Sequence, residues 1–138
     1  MANNELNPIN KSLILGGIEV IVPVNPRLTS FGNGETVPTN KASITTPHSR
    51  ELVEELVGAE ALKYKGIATY ARRGTNGDAL SAVTDGRSDI ALVNRLPYEG
   101  HPNEAGLIVL ATLNRDGELG MKKPIYVVGR KMVALGEE

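Results

Sequence analysis

Two histidines, scattered carboxylates and one pair of adjacent arginines are the side chains with chemistry to offer in this sequence. His48 and His101 are distant in the chain, and neither sits in a His-Glu-x-x-His motif or accompanies a Gly-x-Ser-x-Gly elbow. With no cysteine there is no thiolate nucleophile, disulfide framework or Cys-ligated metal. An enzyme built on this chain would have to work through Asp85, Asp89 or His101. Asp85-Gly86 lacks the hydroxyl residue that an aspartic-protease loop carries between its Asp and Gly, and Asp85 with Asp89 offers too few oxygens for Ca²⁺. Glu51, Glu54 and Glu55, with no histidine beside them, read as a solvated helix face rather than as metal ligands. Gly16-Gly17 has neither the third glycine nor the Lys-Ser/Thr of a phosphate-cradling loop, and reads as a turn. The expectation from these residues is no catalysis, no cofactor and no metal.

Arg72-Arg73, on the turn-forming stretch that ends at Asp78, is the most basic spot in the chain. Arginine meets phosphate and carboxylate equally well through paired donors, so the dipeptide suits either a nucleic acid or a protein partner. Fifteen Lys and Arg against sixteen Asp and Glu leave a net charge of −1, which argues against bulk nucleic acid as the main partner. The aromatics are few and scattered (Phe31, Tyr64, Tyr70, Tyr98 and Tyr126), unlike a base-stacking platform. A small β-barrel binding module for nucleic acid or a nucleotide, using Arg72, Arg73, Arg87 and Arg95 with Tyr70 or Tyr98, stands as the alternative. Tyr98 and His101 share a loop with prolines near both ends, a rigid contact surface in which Tyr is a natural anchor.

The elements that must carry these residues are short. Ile90–Val93, Leu107–Leu113 and Ile125–Val128 are β-branched runs bounded by Gly, Asp, Asn and Pro, and read as strands joined by turns. Ser12–Leu15 and Ile18–Val22 form a hairpin or kinked strand about Gly16-Gly17, and Gly66–Ala71 is a further strand. Ala79–Val83 reads as a helical turn or a short strand, with the strand preferred, and Met132–Leu135 follows the last turn. Arg27–Thr45, with Asn33-Gly34 and Val37-Pro38, is a turn-rich surface excursion. One helix is expected at about residues 47–57: Thr46 as N-cap, Pro47 at the first helical position, Leu52, Val53, Leu56 and Val57 as an apolar stripe, and Gly58 as the stop. Alternating β and α units are not read here. The expected fold is therefore mainly β, an antiparallel jelly-roll-like sandwich or barrel with that one inserted helix.

Residues 1–12 read as a polar N-terminal arm, with Leu6, Pro8 and Ile9 as its apolar anchors, ahead of a single β-rich domain over 13–138. Neither a signal-peptide pattern nor an apolar run long enough to span a bilayer is present, so the expectation is synthesis in the cytoplasm and no membrane partner. In its size, its 15 glycines and 8 prolines, and its turn-rich excursions, the chain resembles the small cement or decoration proteins that clamp the capsid shells of tailed bacteriophages. That resemblance implies a structural protein on the virion's capsid exterior that oligomerises as a dimer or trimer and bridges copies of the major capsid protein. No specific nucleic acid is then expected. The interface expected from the residues is Leu6, Pro8, Ile9, Phe31, Arg72, Arg73, Tyr98 and His101.

Overall fold

The computed structural model describes residues 9–25, 27–30, 36–39, 41–58, 68–72, 74–98, 100–116 and 122–130. Its elements run β1 (Ile9–Leu15), β2 (Ile18–Val24), β3 (Arg27–Ser30), β4 (Thr36–Thr39), β5 (Ala42–Thr46), α1 (Arg50–Val57) and β6 (Ala68–Arg72). Then come α2 (Asn76–Thr84), β7 (Ile90–Val93), β8 (Leu107–Asp116) and β9 (Lys122–Arg130). The chain is mainly β, as its short β-branched runs require.

β1 and β2 form an antiparallel hairpin whose turn is Gly16-Gly17, with φ of +57° and +83°. Two successive positive φ values match the twist of the flanking strands, and glycine adopts them without steric cost. β3 and β4 form a second antiparallel hairpin inside the segment expected to be an excursion. The remaining strands make one sheet in the order β6-β5-β7-β9-β8. Here the structure departs from an all-antiparallel jelly roll: β5 is parallel to both β6 and β7, while β9 is antiparallel to β7 and β8. β5-α1-β6-α2-β7 is thus an alternating βα stretch, the connection that parallel neighbours need.

Period-two alternation, with its phase shifted in β8 by the bulge between Val109 and Ala111, divides the buried strand residues between two cores. Ile44, Ile90, Leu92, Leu113, Ile125 and Val127 pack with Val53 of α1 and with Leu13, Leu15, Val20, Val22 and Val24 of the first hairpin. Ala91, Val93 and Val128 face the other way, onto Ala79, Leu80 and Val83 of α2 and onto Leu107. The sheet is therefore covered on both faces, which is why β7 is buried at all four of its residues.

Three local expectations change. Ala79–Val83 is helical, because Thr75 accepts the Asp78 N–H at 3.0 Å and starts α2. α1 begins at Arg50 with Ser49 as its N-cap; Thr46, expected in that role, closes β5 instead. Ile9–Ser12, assigned above to the arm, pair with Val24–Ile21 in β1. Gly58 does end α1, donating its N–H to the Glu54 carbonyl at 2.7 Å.

Candidate ligand-binding site

The parallel strands β5, β6 and β7 all end at one edge of the sheet, and both helices start there. β5 and β6 stay paired to their last residues, Thr46 opposite Arg72. β5 and β7 pair only through Ile44↔Ile90 and Thr45↔Ala91. Past that point the Thr46 hydroxyl donates to the Leu92 carbonyl at 2.6 Å, so a side chain takes over from the backbone ladder. The same oxygen accepts the His48 N–H at 3.1 Å. The chain after β5 turns to the face covered by α1, whereas α2 lies on the opposite face. The carboxyl ends of β5 and β7 therefore flank the point where the direction of the connections reverses. In open α/β sheets this is where ligands bind.

Each side of this point is braced. Ser49 accepts the Leu52 N–H at 3.3 Å, and Tyr70 donates its hydroxyl to the His48 carbonyl at 2.9 Å while Arg50 lies over its ring, 5.8 Å from the centroid. On the α2 side the Asn76 Oδ1 accepts the Asn94 N–H at 3.0 Å, joining the start of the helix to the end of β7. One cap side chain satisfies one donor at each helix start. The other first-turn N–H groups point out along the helix axis, where the macrodipole is positive.

A buried-carboxylate ion pair braces the connection from β7 to β8. Arg95 Nη1 and Nη2 donate to Glu104 Oε1 and Oε2 at 2.8 and 2.7 Å, and the Tyr98 N–H reaches Oε1 at 2.8 Å. Glu104 is 5% exposed. The hydrogen bonds from Arg95 hold its carboxyl down to about 2, outweighing burial, with help from the Tyr98 amide and the nearby positive charge of Arg95. The same hydrogen bond raises the Arg95 pKa. Its guanidinium lies 4.6 Å from the Tyr98 ring centroid, and its Nη2 is 3.8 Å from where a β-carbon on Gly77, in the first turn of α2, would stand.

The expected site residues do not converge. Leu6, Pro8, Phe31 and Arg73 lie outside the described residues. Ile9 is a hairpin residue, 39% exposed. Tyr98 and His101 share the β7–β8 connection, where the His101 N–H donates to the Tyr98 carbonyl at 3.2 Å and His101 Nδ1 accepts from Asn103. Arg72 is at the end of β6 and lines one cleft with Arg87, whereas Arg95 is committed to Glu104; the arginines do not make one basic platform. Asp85 is paired with Arg87 at 2.7 Å. Asp89 is buried and structural: its carboxylate accepts the N–H groups of Asn25 and Ser43, tying β2, β5 and β7 together at the opposite edge of the sheet. No group of three or more His, Asp or Glu able to hold a metal occurs among the described residues. No helix among them is long and apolar enough to cross a membrane.

No family model matches the sequence, and no curated protein matches it. A solved structure described as GqqA, a novel type of quorum quenching acylases, is similar over 67% of this chain at 20% identity, with a TM-score of 0.45. The match spans 50% of that chain. The structure found is an acylase and not a phage capsid protein; the cement or decoration reading, and the bridging role drawn from it, find no support and are withdrawn. At that TM-score the acylase itself lends no argument about activity.

Proposed function

We propose that this chain is a binding module for a small organic anion, which it holds between the carboxyl ends of β5 and β7. The observation that carries the reading is the early end of β5–β7 pairing, after Thr45↔Ala91, between two capped helix starts on opposite faces of the sheet. The anion would lie against first-turn N–H groups of α1 and α2, with the Asn94 main chain between them. Backbone donors of this kind bind carboxylate or phosphate without a dedicated side chain. Retention rather than turnover fits the braced geometry: Thr46, Tyr70 and Asn76 are all engaged in holding backbone groups.

Amide chemical-shift mapping with malonate and with inorganic phosphate tests this. The expected result is saturable shifts centred on Ser49, Arg50, Asn76, Gly77 and Asn94. Thr46→Val, which removes the hydroxyl bridge to Leu92, should weaken them. Shifts that grow linearly without saturating, or that avoid both helix starts, would overturn the reading.

A further inference from the structure

A cleft runs along the flank of α2. Its volume is about 400 Å³, and Arg72, Gly74, Asp78, Ser81 and Arg87 line it. The charges in it are unevenly committed. Arg50, Arg87, Arg95 and Arg130 each have a carboxylate within 4.0 Å. Arg72 has no carboxylate partner among the described residues, and Asp78 has no cationic one. Arg87 is oriented but not used up: its Nε and Nη2 both donate to Asp85 Oδ2, at 3.0 and 2.7 Å, which leaves Nη1 for another acceptor. Asp78 and Ser81 are three residues apart on α2 and so share its face, about 4.5 Å apart along the axis.

Arg87 and Asp85 cancel one another, so the remaining charged lining among the described residues is one positive group, Arg72, and one negative group, Asp78, within a single polar cleft. A simple anion gains Arg72 but meets Asp78, and a simple cation meets the reverse. A molecule carrying both signs gains from both ends. We propose that this cleft binds a small zwitterion, an amine-bearing carboxylate. Its carboxylate takes donors from Arg72, from Arg87 Nη1 and from the Ser81 hydroxyl, and its ammonium donates to Asp78. Planar guanidinium donors suit the carboxylate end, and the exposed Asp78 suits a hydrated ammonium.

The test is a titration of the ¹⁵N-labelled full chain at low ionic strength and neutral pH with 4-aminobutyrate, against acetate and methylammonium at equal concentrations. Saturable amide shifts at Gly74, Ser81 and Arg87 are expected with 4-aminobutyrate and not with either half alone. Arg72→Ala should abolish them. Asp78→Asn should weaken 4-aminobutyrate on the order of threefold while leaving acetate no weaker, the size expected of an exposed charge pair. Unchanged amide positions at Ile90 and Val128 verify that each variant keeps the sheet. The proposal falls if acetate alone reproduces the shifts, if none saturate, or if they centre on Ser49 and Asn94, since the last outcome would place the ligand between the carboxyl ends of β5 and β7 instead.

Discussion

Glu104 is the residue whose removal reports most directly on how this fold is held. Its carboxylate takes two bonds from Arg95 and one from the Tyr98 amide, is 5% exposed, and is held at about 2 against an ordinary 4.5. One pKa unit corresponds to about 1.4 kcal/mol, so the depression caps the differential stabilisation at roughly 3 kcal/mol. Arg95 keeps 31% of its side-chain surface in solvent, and screening there brings the expected contribution nearer to about 2 kcal/mol. Because the folded pKa lies below the unfolded one, this stability is present above pH 4.5 and is lost as pH falls toward 2. More than half of it should disappear between about pH 5 and about pH 3. Glu104→Gln preserves shape and removes the charge. Urea denaturation of both proteins should therefore show a difference of about 2 kcal/mol at neutral pH, shrinking by more than half at about pH 3. A difference that stays constant over that range would refute the electrostatic account, and one below about 0.5 kcal/mol would show the pair to be idle.

Other perturbations have equally definite outcomes. Gly129→Ala puts a β-carbon 2.7 Å from Leu110 Cδ1, so thermal unfolding should show a loss of about 1 kcal/mol, and Leu110→Ala in the same chain should relieve the clash and give a non-additive cycle. Asp89→Asn keeps the volume but turns an acceptor into a donor facing the amides of Asn25 and Ser43; chemical denaturation should register a loss of about 2–4 kcal/mol. Thr75→Ala removes the acceptor for the Asp78 amide, and a loss of about 1 kcal/mol is expected in the same measurement, with hydrogen exchange accelerating first at the start of α2.

Much of the architecture was legible locally. The β-branched runs at Ile90, Leu107 and Ile125 are strands, Gly16-Gly17 is a hairpin turn, and the stripe of Leu52, Val53, Leu56 and Val57 faces the core. These are read from period and turn chemistry, which act over a few residues. α2 carries a local signal of its own: Thr75 with Asp78 three residues later is an N-terminal cap pattern. The run that follows is buried at Ala79, Leu80, Ala82 and Val83, without the clean stripe that marks a surface helix.

The candidate site was not legible, because its parts come from separate stretches. Thr46 and Leu92 are 46 positions apart, as are Ser43 and Asp89, and nothing in either neighbourhood names the other. Arg95 and Glu104 each look like ordinary surface charges until the β7–β8 connection folds them into a pair in which Glu104 is buried and Arg95 half-buried. The sequence by itself determined where the chain is extended or helical and which residues are apolar. Only the tertiary structure decided that β5 lies parallel between β6 and β7, with one helix on either face. That choice rests on burying both faces of β7 at once, a property of the assembled layers that no local run of residues contains.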